Sequence, residues 1–211
     1  MNARACVALF PEDQIPVILD TVLDCASTLR KKSPNELENH LSTRLVKRLQ
    51  VDLRMRGGPF VVCPEYQVLD KSVDDAQHKG HIDICFVTTQ GSDTYFAIEA
   101  KRLHVTYGKG KWTSLVGEYV TGNQGMMCFV TAKYSAAQQA GAMLGYVFDG
   151  DTNKARDGIS KSIDNNRTKL NLAGTQGLLK SRIVHRAEHV DETQHHFGRR
   201  PFTMYHLLVP V

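Results

Sequence analysis

The sequence predicts a mixed α/β fold in a single domain spanning residues 1–211, and three observations support this. The chain of 211 residues has 42% hydrophobic and 23% charged residues, which is typical of one globular domain. Helix and strand patterns follow one another as helix, three strands, helix, strand, helix, an order found in α/β folds. No apolar stretch reaches the roughly 18 residues of a transmembrane helix, so no membrane partner is expected.

Two helices are predicted before the first strand. The first covers residues 14–30 and is amphipathic. The second is predicted from Asn35 to Gln50, with Ser33 as its N-cap and Pro34 at its first position. Leucines at helical spacing form its apolar stripe: Leu37, Leu41, Leu45 and Leu49.

The remaining elements follow from apolar alternation and from the turn residues between them. Three strands are predicted at residues 60–69, 81–88 and 94–103. Later predictions are a short helix at 115–120, a strand at 126–131, a helix at 135–148, a helix at 153–170 and strands at 181–190 and 202–211.

The second and third strands place ionisable groups opposite apolar ones. Alternation puts Ile82, Ile84 and Phe86 on one face and Asp83 on the other. On the third strand the same alternation separates Phe96, Ile98 and Ala100 from Ala97, Glu99 and Lys101. Both strands are therefore expected to bury one face and to present charged groups on the other.

A hairpin between these strands would bring the two acids together. If Thr88 pairs with Thr94 across the loop 89–93, Asp83 lies directly opposite Glu99. Such partners have Cβ atoms about 4.5–5.5 Å apart. A slip of one residue would separate the two acids, so the prediction depends on this register.

Two carboxylates at this distance need compensation. Their repulsion costs roughly 3–4 kcal/mol at an effective dielectric near 20, so either one takes a proton or a cation lies between them. Mg²⁺ binds to one or two carboxylates together with water and phosphate oxygens. Lys101, two residues after Glu99, would position or polarise an attacking water. These groups are suited to in-line hydrolysis of a phosphodiester.

Asp83, followed after 15 residues by Glu99-Ala100-Lys101, resembles the motif of the PD-(D/E)XK nuclease superfamily, which includes many restriction endonucleases. The resemblance covers a core of approximately residues 35–148 and implies a restriction-endonuclease-like mixed sheet flanked by helices. Ile82 replaces the proline of the motif, and no tyrosine follows Gln138 or Gln139 at the spacing of the Q-x-x-x-Y subgroup.

The resemblance implies a metal-dependent DNA endonuclease. Asp83, Glu99 and the carbonyl of Ala100 would bind Mg²⁺, for which Mn²⁺ would substitute, and Lys101 would act on the water. The glutamate that the family places on its first core helix is best matched by Glu38, with Glu36 as second choice; Glu38 would order a second metal ion or a water. A role in bacterial anti-phage defence or DNA processing is expected, with a homodimer or a larger ATPase or targeting subunit as partner.

A basic segment interleaved with aromatic residues follows the third strand. Arg102, Lys109 and Lys111 are predicted to hold a nucleic-acid backbone, with Tyr107 and Trp112 between them. A solvated loop is an equally good interpretation. The glycines around Lys109 lack the spacing of a P-loop.

Several weaker signals favour structural roles. His185 to His189 matches the H-x-x-E-H string of zinc peptidases but lacks a helical pattern. Glu65 is a minor candidate for an auxiliary acid, Glu118 and Tyr119 are expected to be structural, and His195-His196 is expected in a polar loop. The N-terminus is a poor signal peptide, and five dispersed cysteines favour reduced thiols and a cytoplasmic protein.

Two further hypotheses remain open. A non-catalytic nucleic-acid-binding or assembly subunit would bind in a salt-sensitive way without cleavage. A hydrolase of small phosphorylated molecules would turn over nucleotides and leave polymers intact.

Overall fold

The computed structural model describes residues 10–69, 78–89, 94–134, 138–183, 189–198 and 200–211. Its helices are α1 Ile15–Ser27, α2 Glu38–Val51, α3 Leu53–Arg56, α4 Val116–Val120, α5 Met127–Val130 and α6 Thr152–Asn165. Its strands are β1 Phe60–Leu69, β2 His78–Thr88, β3 Tyr95–Leu103, β4 Val105–Tyr107, β5 Lys111–Thr113, β6 Ala140–Val147, β7 Leu179–Lys180, β8 Val190–Phe197 and β9 Arg200–Pro210.

Seven strands form one mixed sheet in the order β1-β2-β3-β6-β9-β8-β7. The β3–β6 and β6–β9 pairs are parallel, and the other neighbours are antiparallel. β4 and β5 form a separate two-stranded hairpin after β3. The predicted α/β class with a mixed sheet is confirmed.

Helices cover both faces of this sheet. On one face α1 and α2 bury a continuous apolar core against β2, β3, β6 and β9. On the other face α4, α5 and α6 bury a second core against the same central strands. Central strands buried on both sides have no wet face, so β3 is buried along nearly its whole length. Among the described residues, no helix has both the length and the apolar composition needed to span a bilayer.

The predicted register between β2 and β3 is confirmed. Ile84 pairs with Ile98 and Phe86 with Phe96, and the N–H of Thr88 donates to the carbonyl of Thr94 over 3.1 Å. The pair Ile84–Ile98 is the last of this ladder, so Asp83, the residue that precedes Ile84, lies just outside it. The two acids therefore lie where β2 and β3 stop pairing, which leaves room for side chains between the strands.

The expectation that Ile82 shares a face with Ile84 and Phe86 is wrong. Ile82 packs in the core under α4–α6, whereas Ile84 and Phe86 pack under α1 and α2. On the neighbouring strand Glu65 has a φ of 46°, in the left-handed region. The register of β1 and β2 is nevertheless unchanged on both sides of Glu65, at the pairs Pro64–Ile84 and Tyr66–Ile82.

The two segments after α4 have the opposite structure to the one predicted. Residues 126–131, expected as a strand, contain α5, and most of the expected helix 135–148 is β6. Small residues in β6 are required by its neighbours: a Cβ on Gly141 would lie 2.5 Å from the Phe129 ring, and one on Gly145 would lie 2.6 Å from Leu208. The Ala and Gly content reflects close packing around a strand, not a helix.

The start of α2 is also later than predicted. Ser33 and Pro34 lie in a turn, and the helix begins at Glu38 without a side-chain cap. The Glu36 carboxylate accepts the N–H of Lys32 and pairs with Arg44, which holds the turn. Leu37 is consequently 51% exposed, while the other three leucines of the predicted stripe are buried.

The first helix and strands are confirmed with small shifts of their ends, as are the helix at 116–120 and the last strand. The helix predicted for 153–170 ends at Asn165. At the C-terminal side, residues 184–188 of the predicted strand 181–190 lie outside the described residues. His195 and His196, expected in a loop, belong to β8, and His195 is fully buried.

Candidate active site

The four predicted catalytic side chains meet at one cavity of about 280 Å³. Glu38 is the first residue of α2, Asp83 lies on β2, and Glu99 and Lys101 lie on β3. The cavity opens where the β2–β3 ladder ends. The sheet supplies its floor and the start of α2 supplies one side.

Lys101 connects the acids. Its ammonium donates to Glu38 Oε1 over 2.9 Å, to Glu99 Oε1 over 3.0 Å and to the carbonyl of Ala100 over 2.7 Å. The three donor positions of the ammonium are all used. Lys101 is 6% exposed, so these bonds lie in a largely dry environment.

Asp83 and Glu99 differ in how they are satisfied. Asp83 Oδ2 accepts the backbone N–H of Ala100 over 2.7 Å, which joins β2 to β3 just beyond their ladder. Glu99 is 2% exposed, and its Oε2 has no hydrogen-bond partner among the described residues. A buried carboxylate oxygen without a donor is costly unless a proton or a cation satisfies it.

The charges of the site reflect burial and mutual repulsion. Burial, and then the charge of Asp83, raise the pKa of Glu99 to about 8. Burial likewise raises the pKa of Asp83. For Lys101, burial disfavours the charged form, but Glu99, Glu38 and Asp83 outweigh it and its pKa is raised. The ammonium therefore stays charged, while Glu99 lacks full compensation.

The carboxylate oxygens of the site are of the kind that bind a hard divalent cation, although in this structure the side chains are directed to one another. Among the described residues, no three or more His, Cys, Asp and Glu side chains are arranged to hold a metal. Oxygens of all three acids accept hydrogen bonds from Lys101 or Ala100. The free Glu99 Oε2 beside Asp83 is nevertheless the kind of oxygen that Mg²⁺ or Mn²⁺ binds.

Of the two glutamates considered on the first core helix, Glu38 reaches the site and Glu36 does not. Besides its bond to Lys101, Glu38 Oε2 accepts the N–H of Arg102 over 3.3 Å. Glu36 is buried in its ion pair with Arg44, outside the cavity. The acid pair does not lie on an exposed face of the sheet, because β3 is buried there.

The predicted nucleic-acid contacts divide into two groups. Arg102 lines the cavity, but its guanidinium donates to the carbonyls of Asn35 and Glu36, each over 3.2 Å, and so anchors the approach to α2. Lys109 and Lys111 are exposed on the β4–β5 hairpin beside the cavity.

The sequence-based reasoning missed part of the cavity wall. Glu118, Gln124 and Leu115 line it from α4 and its flanking turns, and Tyr107 lines it from β4. Glu118 was expected to be structural only. Its neighbour Tyr119 is structural as expected: it is fully buried, and its hydroxyl contacts His206 Nδ1 over 3.0 Å. Polar residues in turns have no periodic pattern, so no sequence signal identified Glu118 or Gln124.

The minor candidates lie elsewhere. Glu65 is exposed on β1 and does not line the cavity. Of the H-x-x-E-H string, residues 185–188 lie outside the described residues. Four cysteines in the described part of the chain are unpaired: Cys25, Cys63, Cys85 and Cys128.

Comparison of the chain with protein-family models, with curated proteins and with solved structures found no match.

Proposed function

We propose that the protein is a nuclease of the PD-(D/E)XK type with a restriction-endonuclease-like fold, which hydrolyses phosphodiester bonds with Mg²⁺ or Mn²⁺. One observation supports this most directly: the buried Glu99 keeps an unpartnered oxygen next to Asp83, while the Lys101 ammonium contacts its other oxygen. DNA is the expected substrate, by the resemblance of the motif.

Each residue has a distinct task in this proposal. Asp83, Glu99 and the carbonyl of Ala100 would hold the cation, which when bound supplies positive charge to the phosphate and lowers the pKa of water. The Lys101 ammonium would exchange one of its contacts with Glu38, Glu99 or the Ala100 carbonyl for the attacking water or a phosphate oxygen, and so place it against the phosphorus. Glu38 orients Lys101 and accepts a proton or a hydrogen bond from water.

The energetics of the site favour cation binding. Without a cation, burial and Asp83 keep the pKa of Glu99 near 8, so much of this group is protonated at neutral pH. A divalent ion would replace that proton and satisfy Glu99 Oε2. In this proposal the fold keeps Asp83 and Glu99 close together, where burial disfavours their ionised form and a bound cation would favour it.

A non-catalytic binding subunit is the second candidate, and one observation favours it. Lys101, Glu38 and Glu99 already form a connected ion cluster without any bound metal. Such a cluster would suit a scaffold that keeps the fold and binds nucleic acid without cutting it.

The test is cleavage of fluorescent single-stranded and duplex DNA and RNA by purified protein in Mg²⁺, Mn²⁺ or EDTA. We expect cleavage only with metal, and losses of about 100-fold or more for Asp83→Asn, Glu99→Gln and Lys101→Met. Asp157→Asn, which changes an exposed acid on α6, serves as the matched control and should cleave like wild type.

Three outcomes distinguish the hypotheses. Equal cleavage by wild type and all three site variants would contradict the nuclease proposal. Salt-dependent binding without cleavage, unchanged in Asp83→Asn, would establish the non-catalytic subunit. Turnover of nucleotides without cleavage of polymers would identify a hydrolase of small phosphorylated molecules.

A further inference from the structure

The cavity has a second wall that the proposed chemistry does not use. We call Tyr107, Glu118 and Gln124 the outer wall; all three line the cavity and all are exposed. Within the described part of the chain, the structure shows no hydrogen bond or ion pair for these three side chains. They are available to a ligand in the cavity.

Tyr107 is the last residue of β4, next to the turn of the β4–β5 hairpin. The two ends of the hairpin meet where the N–H of His104 donates to the carbonyl of Ser114 over 3.0 Å. His104 and Leu115, on either side of it, have φ values of 56° and 54°, a conformation that costs energy and is kept only where the surroundings fix it. The closed base of the hairpin orders the backbone that carries the Tyr107 ring before any ligand binds, which reduces the entropy cost of binding.

The two aromatic residues of the hairpin point to opposite faces. Tyr107 pairs with Lys111, and Thr106 pairs with Trp112, so alternation puts Lys111 next to Tyr107 and Trp112 on the other side. Trp112 is engaged there: the Lys154 ammonium lies 4.1 Å from its ring centroid, and its indole N–H donates to Asp149 over 3.4 Å. Tyr107 alone of the two faces the cavity.

The charges of the cavity define an orientation for a nucleotide. Lys101 and Arg102 line the cavity on the side of α2 and β3, so the positive charges that could face a phosphate lie on that side. Glu118 lies on the outer wall, where its carboxylate repels a phosphate. A nucleobase carries no net charge, and its exocyclic amines donate to carboxylate and amide oxygens. Around Glu118 the outer wall is thus compatible with a base and unfavourable for a phosphate, whereas Lys111 places a positive charge beside Tyr107.

From this arrangement we propose that the outer wall is a nucleobase subsite: the base next to the cleaved phosphate stacks on Tyr107 and is hydrogen-bonded by Glu118 and Gln124. A base inside a duplex is stacked and paired and cannot occupy such a cavity. The substrate is therefore a strand that is single or locally unpaired at the cleavage point. This inference rests on the proposed nuclease function for the identity of the polymer.

The test is a binding cycle in EDTA, which requires no hydrolysis. Its probes are a fluorescein-labelled eight-nucleotide single-stranded DNA, the same backbone with all positions abasic, and a duplex of the same sequence. Base stacking on an aromatic ring is worth about 1–3 kcal/mol. We therefore expect Tyr107→Ala to weaken binding of the normal strand by about 5- to 150-fold and not to change binding of the abasic strand.

Matched variants exclude a merely structural effect. Tyr107→Phe keeps the ring and should bind the normal strand like wild type. Glu118→Gln removes the negative charge that repels backbone phosphates and should strengthen binding of the abasic strand. Wild type should bind the single strand more tightly than the duplex.

Three results would contradict the subsite proposal: Tyr107→Ala weakens binding of the normal and abasic strands equally, it weakens binding of neither, or wild type binds the duplex more tightly than the single strand. The failure of the nuclease proposal looks different, because the binding cycle would then hold while no strand is cleaved in Mg²⁺ or Mn²⁺.

Discussion

At Glu99, stability and the proposed activity impose opposite requirements. Its buried carboxyl has an unpartnered oxygen and faces the charge of Asp83. At neutral pH much of Glu99 is protonated in the folded protein and ionised in the unfolded one, and Glu99→Gln removes the cost of that protonation without changing the size of the side chain. We expect the free energy of unfolding in EDTA to rise by about 1 kcal/mol, measured by urea denaturation, because groups kept for function often reduce stability. A loss of stability would show that the carboxylate is well compensated in the folded protein.

Lys101 should show the opposite behaviour. Lys101→Met keeps the aliphatic stem but removes the cation bound by Glu38 and Glu99. Breaking a fully buried pair costs about 3–5 kcal/mol. We expect a loss of about 2–3 kcal/mol, because much of Glu99 is already protonated at neutral pH and Glu38 is partly exposed. The same urea series measures it, and Arg44→Met, which breaks the ion pair with Glu36 outside the cavity, provides a comparison.

At this scale the sequence identified the residues that alternation places on strands. Asp83, Glu99 and Lys101 were found because a period of two, combined with a short loop, fixes which side chains oppose each other. Glu118 and Gln124 were missed because they occur in short turns around α4, whose position depends on packing between distant segments.

Among whole elements, the register of β2 and β3 was predictable and β6 was not. The hairpin is a local structure, set by five loop residues and two alternating segments. By contrast, β6 lies between β3 and β9, its neighbours on either side being far apart in sequence. Its glycines leave room for Phe129 of α5 and Leu208 of β9, which pack against the strand. A single sequence does not contain that contact, so the Ala and Gly content by itself favours a helix.

The β4–β5 hairpin should loosen when its anchor is removed. Asp149 accepts from the Nδ1 of His104 over 2.9 Å and from Trp112, the only tryptophan in the chain. Asp149→Ala should therefore increase acrylamide quenching of tryptophan fluorescence and shift the emission to longer wavelength. Because the cluster is partly exposed, the free energy of unfolding should fall by only about 1 kcal/mol.

Asp157→Ala, an exposed acid of α6, is the control for this experiment and should leave the fluorescence unchanged. Unchanged quenching in Asp149→Ala would mean that the backbone bond from His104 to Ser114 fixes the hairpin by itself. The subsite proposal adds a second readout, since a loosened hairpin should also weaken single-strand binding.

Across the whole molecule, a buried polar chain connects α4 to the far strands of the sheet. Tyr119 contacts His206, the His206 Nε2 lies 2.9 Å from Thr193 Oγ1, and Thr193 lies 2.7 Å from His195. His195 in turn contacts the carbonyl of Leu170 over 2.8 Å. Since all these groups are buried and satisfied, the chain holds the segment that bears Glu118 against the sheet.

This chain predicts a loss of stability in acid. Burial lowers the pKa of His206 to about 3 and that of His195 to about 4. Between those values and about 6.5, the unfolded state binds protons that the folded state does not, so stability falls as pH falls. At pH 5 each histidine should cost about 2 kcal/mol relative to pH 7. The raised pKa of Glu99 acts in the opposite direction, so total stability does not isolate the effect.

The difference between wild type and His206→Asn isolates it. Asparagine can still form hydrogen bonds but does not titrate, so the stability gap between the two proteins should shrink by about 2 kcal/mol from pH 7 to pH 5. Urea denaturation at both pH values measures the gap. A constant gap for His206→Asn would mean that His206 takes up its proton in the folded state, and that the chain from Tyr119 to Leu170 tolerates a charge.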